Sequence, residues 1–256
     1  ERTPSAAGVF TEYQSPTETR YAADGVTTLG EPVAWTHQIA PNLRTPRSRT
    51  WDIAYDHRFS PQWAVHTGVI DRHGTDELII DPVPGVAADP SVLRLSSAGR
   101  SRYREVEFGV HFTARHGIDV NASYVRSQAK ADLNSFTSFY DAVLWPIVGI
   151  NQYTIARTDA PHRMLLRARA MPSKWQLIAL VDWRTGLPYS IVNDTLDFVG
   201  PRNSRRFPTY LRVDLGVERR VRLFMLHPWV GVRAENAFNS WLPADVQANL
   251  SSPAFG

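Results

Sequence analysis

Cysteine is absent from the 256 residues. That absence excludes disulfide staples, thiolate metal sites and cysteine nucleophiles. Long apolar runs are missing too. The longest, "AVLWPIVGI" at residues 142–150, is broken by a proline. It falls well short of the ~18 residues of a membrane helix. Crossing by strands stays open, because a barrel strand needs only ~9–11 alternating residues. A strong charge imbalance is lacking as well. The formal charge is +3, and no basic run is interleaved with aromatics, so nucleic acid is not an expected partner. The opening "ERTPSAAGVF" has no initiator Met, basic region or apolar stretch of a signal peptide. The expectation is that a leader was removed or that the chain is a piece of something longer.

Motifs of catalysis are scarce. There is no G-x-S-x-G, no phosphate-binding glycine loop and no deaminase signature. The 8 histidines show no helical metal-binding spacing. No catalytic residue, metal or cofactor is therefore assigned. Ser123 and His111 face the same side across an expected hairpin, which keeps an outer-rim hydrolase as a lesser alternative.

Alternation is abundant. In "YLRVDLGVE" (residues 210–218) Leu211, Val213, Leu215 and Val217 alternate with Arg212, Asp214, Gly216 and Glu218. A period of two is a strand with one apolar and one wet face. Such segments come in pairs across short turns. "TWDIAYDHRF" and "WAVHTGVIDR" are joined by Ser60-Pro61-Gln62, and "YREVEFGVHFT" and "IDVNASYVRS" around His116. "RMLLRARAM" and "WQLIALVDWRT" are joined by Pro172-Ser173-Lys174, and "YLRVDLGVERRV" and "PWVGVRAENAF" around Leu226. "VAWTHQIA" offers a ninth strand.

The connections between pairs are long, at residues 74–100, 129–161 and 186–209. Compact soluble domains rarely carry several unstructured connections beyond ~12–15 residues. Short turns on one side and long loops on the other match a transmembrane barrel. A soluble sandwich scatters loop lengths over both ends, and it remains the main alternative. The expected fold is all-β: an antiparallel up-and-down meander of about 8–9 strands, part of a transmembrane β-barrel. Trp175 and Trp183 bracket one apolar stripe at about 26 Å, from a rise of ~3.3 Å per residue. With strand tilt, that approaches the depth between two aromatic girdles.

The opposite faces carry charge of both signs. The expected lumen-facing set is Glu105, Glu107, Arg167, Arg169 and Asp182, continued by Arg212, Asp214, Glu218, Arg233 and Glu235. Buried in a sandwich core these would be costly, whereas a wide lumen leaves them solvated. Exposed aromatics on an outer loop point to ligand contact. Phe136, Phe139, Tyr140, Trp145 and Tyr153 fall on the second long connection. Arg184 and Tyr189 sit where a strand exits toward the loops.

The last third, "WQLIALVDWRTGLPYS", "RFPTYLRVDLGVERR" and "VGVRAENAFNSWLPADVQANLSSPAFG", resembles the C-terminal barrel of TonB-dependent outer-membrane receptors. The shared pattern is an R-x-D strand (Arg212, Asp214), a strand ending in N-x-F-N (Asn236, Phe238, Asn239), then a proline (Pro243). "LRTPRSRTWDIAYDHRF" and "GRSRYREVEFGVHF" resemble strands of the carboxypeptidase-regulatory-like, Oar-like branch of that family. The resemblance implies an outer-membrane protein that imports a scarce small solute. Its partners would be lipid, a plug domain and a TonB-type energy-transducing complex. Residues 1–48 would be an outer loop with a first strand, and 49–256 a partial barrel without plug or final strand.

Overall fold

The structure is a computed structural model. It describes residues 17–22, 24–83, 91–132, 151–194, 198–241, 243 and 245–256. Thirteen strands and no helix occur among the described residues. Eight strands build one long sheet. They are β3 (Arg47–Arg58), β4 (Trp63–Val83), β5 (Ser91–Ala114), β6 (Ile118–Asp132), β8 (His162–Ala170), β9 (Trp175–Arg184), β12 (Tyr210–Arg220) and β13 (Trp229–Ala234). In that order each pairs antiparallel with the next. This is the meander that the alternation predicts.

Tight reversals join the strands at one end. His116 and Gly117 take φ of 61° and 64° between β5 and β6, and Ser173 takes 58° between β8 and β9. Such left-handed residues let a short connection follow the twist of its strands.

The stretch 74–100 departs from the expected loop. β4 and β5 run on together, pairing Glu77 with Gly99 and Val83 with Val92. Register shifts at Gly74/Glu77 and Glu77/Ile79 interrupt the pairing, and Asp76 is left-handed with φ 56°. These bulges break the period of two, so the extension does not read as strand in the sequence. Ile80, Leu93 and Leu95 are buried there, with Trp35, Leu43 and Leu78 packed against them.

The strand foreseen in "VAWTHQIA" exists as β2 (Val33–Ile39) but is not a ninth member of the meander. It pairs parallel with Ser91–Leu95 of β5. The described part of β6 reaches Asp132, opposite the part of β5 near Arg100. β2 takes the column beside the upper part of β5. Four short elements complete the list. β1 (Thr17–Glu18) pairs with β2, and β7 (Tyr153–Ile155) with the end of β6. β10 (Pro188–Tyr189) and β11 (Arg205–Arg206) form a separate two-stranded sheet.

Residues directly opposite one another form rows across the long sheet. One row runs Tyr55, Thr67, Phe108, Tyr124, Met164, Trp183, Leu211. Four residues nearer the tight turns, another runs Trp63, Phe112, Val120, Ala168, Ala179, Leu215, Ala234. Both rows lie on one face, and that face is open: Ile53 is 67% exposed, Phe108 50% and Val232 78%. The buried hydrophobic residues lie elsewhere, in the β4–β5 extension and at Ala156, Ile191 and Val192. No second layer covers the apolar face among the described residues, so the sandwich reading lacks its second sheet.

Candidate functional site

The other face of the sheet is polar. The pairing of Arg167 with Asn121 and Leu180, and of Arg212 with Asp182, puts the polar positions of β6, β8, β9 and β12 in register. The sheet bends around this face, which lines a trough of about 720 Å³. Asp56, His66 and Glu107 stand on one flank, and Arg167, Asp182 and Arg212 on the other.

The register puts Glu105 and Glu107 opposite Ile70 and Gly68 on this face. Arg169 stands opposite Asp119 and Ile178. Glu218 stands opposite Gln176 and Gly231, and Arg233 opposite Gly216. Arg212 donates to Asp214 through Nε (2.8 Å) and to Glu235 Oε2 (3.0 Å). Arg163 lies 3.5 Å from Asp182. The trough is a mixed-charge wall in which Arg163 and Arg212 have a carboxylate within reach. Such a wall stays hydrated or receives a polar segment, and its exposed pairs add little stability.

The aromatic and mouth residues do not gather at one place. Phe136, Phe139, Tyr140 and Trp145 lie outside the described residues. Arg184 is on the polar face at the far rim, its guanidinium 4.3 Å from the ring centre of Tyr210. Tyr189 packs on Phe207 (centroids 5.2 Å apart) inside the small β10–β11 sheet. Tyr153 stands opposite Asp132 beneath the guanidinium of Arg100, on the apolar side of the sheet rather than in the trough.

Two histidine–carboxylate contacts escaped the sequence reading because their partners sit on the same face by register. His66 Nδ1 lies 2.9 Å from Asp56, and His111 Nε2 lies 3.1 Å from Asp119. Ser123 is diagonal to His111 on that face, but no hydrogen bond joins them. No cluster of metal-binding side chains occurs among the described residues. Beyond the sheet, a buried ion pair also escaped notice. Asp159 is 3% exposed, pairs with Arg206 and accepts from the Ala129 amide.

An all-β sheet with a bare apolar face, tight turns at one end and a polar trough has the architecture of an outer-membrane barrel wall. Comparison with solved structures agrees. The chain is similar to the outer membrane transporter YddB from Escherichia coli at 12% identity and TM-score 0.55, covering 81% of this chain and 30% of that one. It is similar to the FrpB iron transporter from Neisseria meningitidis at 11% identity and TM-score 0.53, covering 80% of this chain and 29% of that one. The chain thus spans about 30% of the length of these transporters. No protein-family model matches the chain, and no curated protein matches it by sequence.

Proposed function

We propose that this chain is part of the wall of an outer-membrane importer of the TonB-dependent kind. The observation that carries this reading is the apolar face. No residue of its rows is buried from β3 to β13, while the buried hydrophobic residues are confined to the outer extension and loops. In water so large an apolar patch would drive association. In a bilayer it is the lipid-facing band of a barrel. The polar face then lines the lumen, and the wall is completed by partner strands at the edges of β3 and β13, because lipid tolerates no open edge.

In this reading residues 49–256 belong to the barrel and the segment before them lies outside it. The mixed charges of the trough face a plug domain and, on its displacement, the passing solute. A TonB-type complex supplies the energy by pulling on that plug, and the outer loops capture the solute. The resemblance to the Oar-like branch rests on residues 43–59 and 99–112 alone. The role is transport rather than catalysis.

Envelope fractionation tests this. An antibody against the chain is expected to detect an outer-membrane band much larger than 28.8 kDa, which shifts in mobility on heating. A soluble band near that mass, indifferent to heating, would overturn the proposal.

A further inference from the structure

The apolar face does not stay apolar toward the long-loop end. Along β5 the positions facing lipid run Phe112, Val110, Phe108, Val106 and then Arg104, Arg102, Arg100. The neighbouring strands change at the same height. Arg104 stands opposite Asp71 and Gln128. In the next row Arg49, His73, Arg102 and Lys130 are directly opposite one another across four strands. At ~4.8 Å per strand that row is about 14 Å wide.

We infer that this face is a binding site for phosphate groups of a lipid headgroup, in the leaflet on the long-loop side. The inference rests on the barrel reading above.

Three features carry it. First, the position is right: two residues above the Val106 row, an outward side chain leaves the hydrocarbon and meets the headgroup layer, where basic residues attract anionic lipid. Second, the cations are held in place. Asp71 is 8% exposed; Arg102 donates to it at 2.8 Å, Arg104 lies at 3.4 Å and His73 at 3.0 Å. Arg102 and Arg104 remain 35% and 53% exposed, so their free N–H groups still face outward. Guanidinium forks suit phosphate oxygens.

Third, cations outnumber acids. Arg49, Arg100, Arg102, Arg104, Arg126 and Lys130 share the face with Asp71 and Asp132. Arg102 and Lys130 are directly opposed, an arrangement that repels unless an anion lies between them. Past β8 the Arg126 row continues through His162 to Thr185, so the surplus is confined to the β3–β6 side.

The test uses the full-length protein, purified from outer membranes in detergent and stripped of lipid. Native mass spectrometry then measures binding of diphosphoryl lipid A, of the same lipid without phosphates, and of inorganic phosphate as competitor. The expected result is binding of the diphosphoryl lipid, about tenfold weaker without phosphates and in R102Q/R104Q. R49Q/K130Q, which leaves every partner of Asp71 in place, should also weaken it. R58Q/R72Q removes the same charge from the polar face of β3 and β4 and should bind as wild type. Equal binding by both patch variants, indifference to the lipid phosphates, or equal competition by inorganic phosphate would overturn the site. A heat-modifiable barrel that binds no lipid overturns this inference alone. A protein that never forms such a barrel overturns it together with the proposed function.

Discussion

Arg212 and Asp214 stand two residues apart on the polar face of β12, with the guanidinium Nε 2.8 Å from Asp214 Oδ1. The same carboxylate accepts the backbone N–H of Asn236 at 2.8 Å, just past the end of β13. Asn236 is left-handed, with φ 48°, and its amide exchanges two bonds with Ser240. The R-x-D and N-x-F-N patterns are thus two halves of one clamp that turns the chain off the sheet. Asp214→Ala removes the acceptor shared by Arg212 and Asn236. It should cost about 1–3 kcal/mol, read as a lower temperature for the heat-induced mobility shift.

Asn236 itself separates two terms. Asn236→Gly keeps the left-handed backbone and loses only the Ser240 bonds. Asn236→Ala loses both, and strain at positive φ adds about 1 kcal/mol. The expected order of stability is wild type, then Gly, then Ala, by the same mobility assay.

The two faces of the sheet should respond oppositely to charge. Leu215 is 42% exposed on the apolar face, and Leu180 is 37% exposed in the trough between Arg167 and Asp214. Leu215→Arg should cost about 2–4 kcal/mol in a bilayer, while Leu180→Arg should cost under about 1 kcal/mol. Urea titration of the barrel refolded into vesicles measures both.

Beyond the sheet, Asp159 and Arg206 hold the segments before β8 and β12 together. Arg206 also donates to the backbone carbonyls of Asp159 (2.8 Å) and Gly186 (3.2 Å). Removing one partner of a buried pair costs about 3–5 kcal/mol. Asp159→Ala should open the 186–209 connection to protease on intact cells while the barrel still shifts on heating.

Gly186 should act in the same region by sterics. A Cβ there would sit 1.8 Å from the Phe207 carbonyl oxygen and 2.6 Å from that of Pro208. Both neighbours are backbone, so they cannot move aside as a side chain would. Gly186→Ala should reproduce the protease sensitivity of Asp159→Ala.

The strands of the meander were legible because each keeps one face apolar and one polar without interruption, as β12 does from Leu211 to Val217. The β4–β5 extension was not, because Asp76 and the bulges beside Glu77 break the alternation that marks a strand. The parallel placement of β2 was hidden for another reason. "VAWTHQIA" reads as a strand, but nothing local states which edge it joins; that is set by its tertiary pairing with Ser91–Leu95 of β5. The acids and bases of the trough could be assigned a face from parity alone. Their partners could not, because Asp56–His66 and Arg163–Asp182 meet through cross-strand register. The outward cations are hard to see in the sequence because Arg100, Arg102 and Arg104 continue the positions of Val106, Phe108 and Val110, where the alternation no longer separates apolar from polar.

In the proposed barrel one face of this sheet touches lipid and the other does not. A chain without cysteine lets single cysteines report this along β5. Cysteines would replace Val106, Phe108 and Val110 on one face, and Glu105, Glu107 and Gly109 on the other, in the full-length protein in its membrane. Labelling should alternate strictly along the strand. A charged, water-soluble maleimide should label positions 105, 107 and 109, and a bilayer-partitioning maleimide positions 106, 108 and 110. Equal labelling of all six by the water-soluble reagent would contradict it.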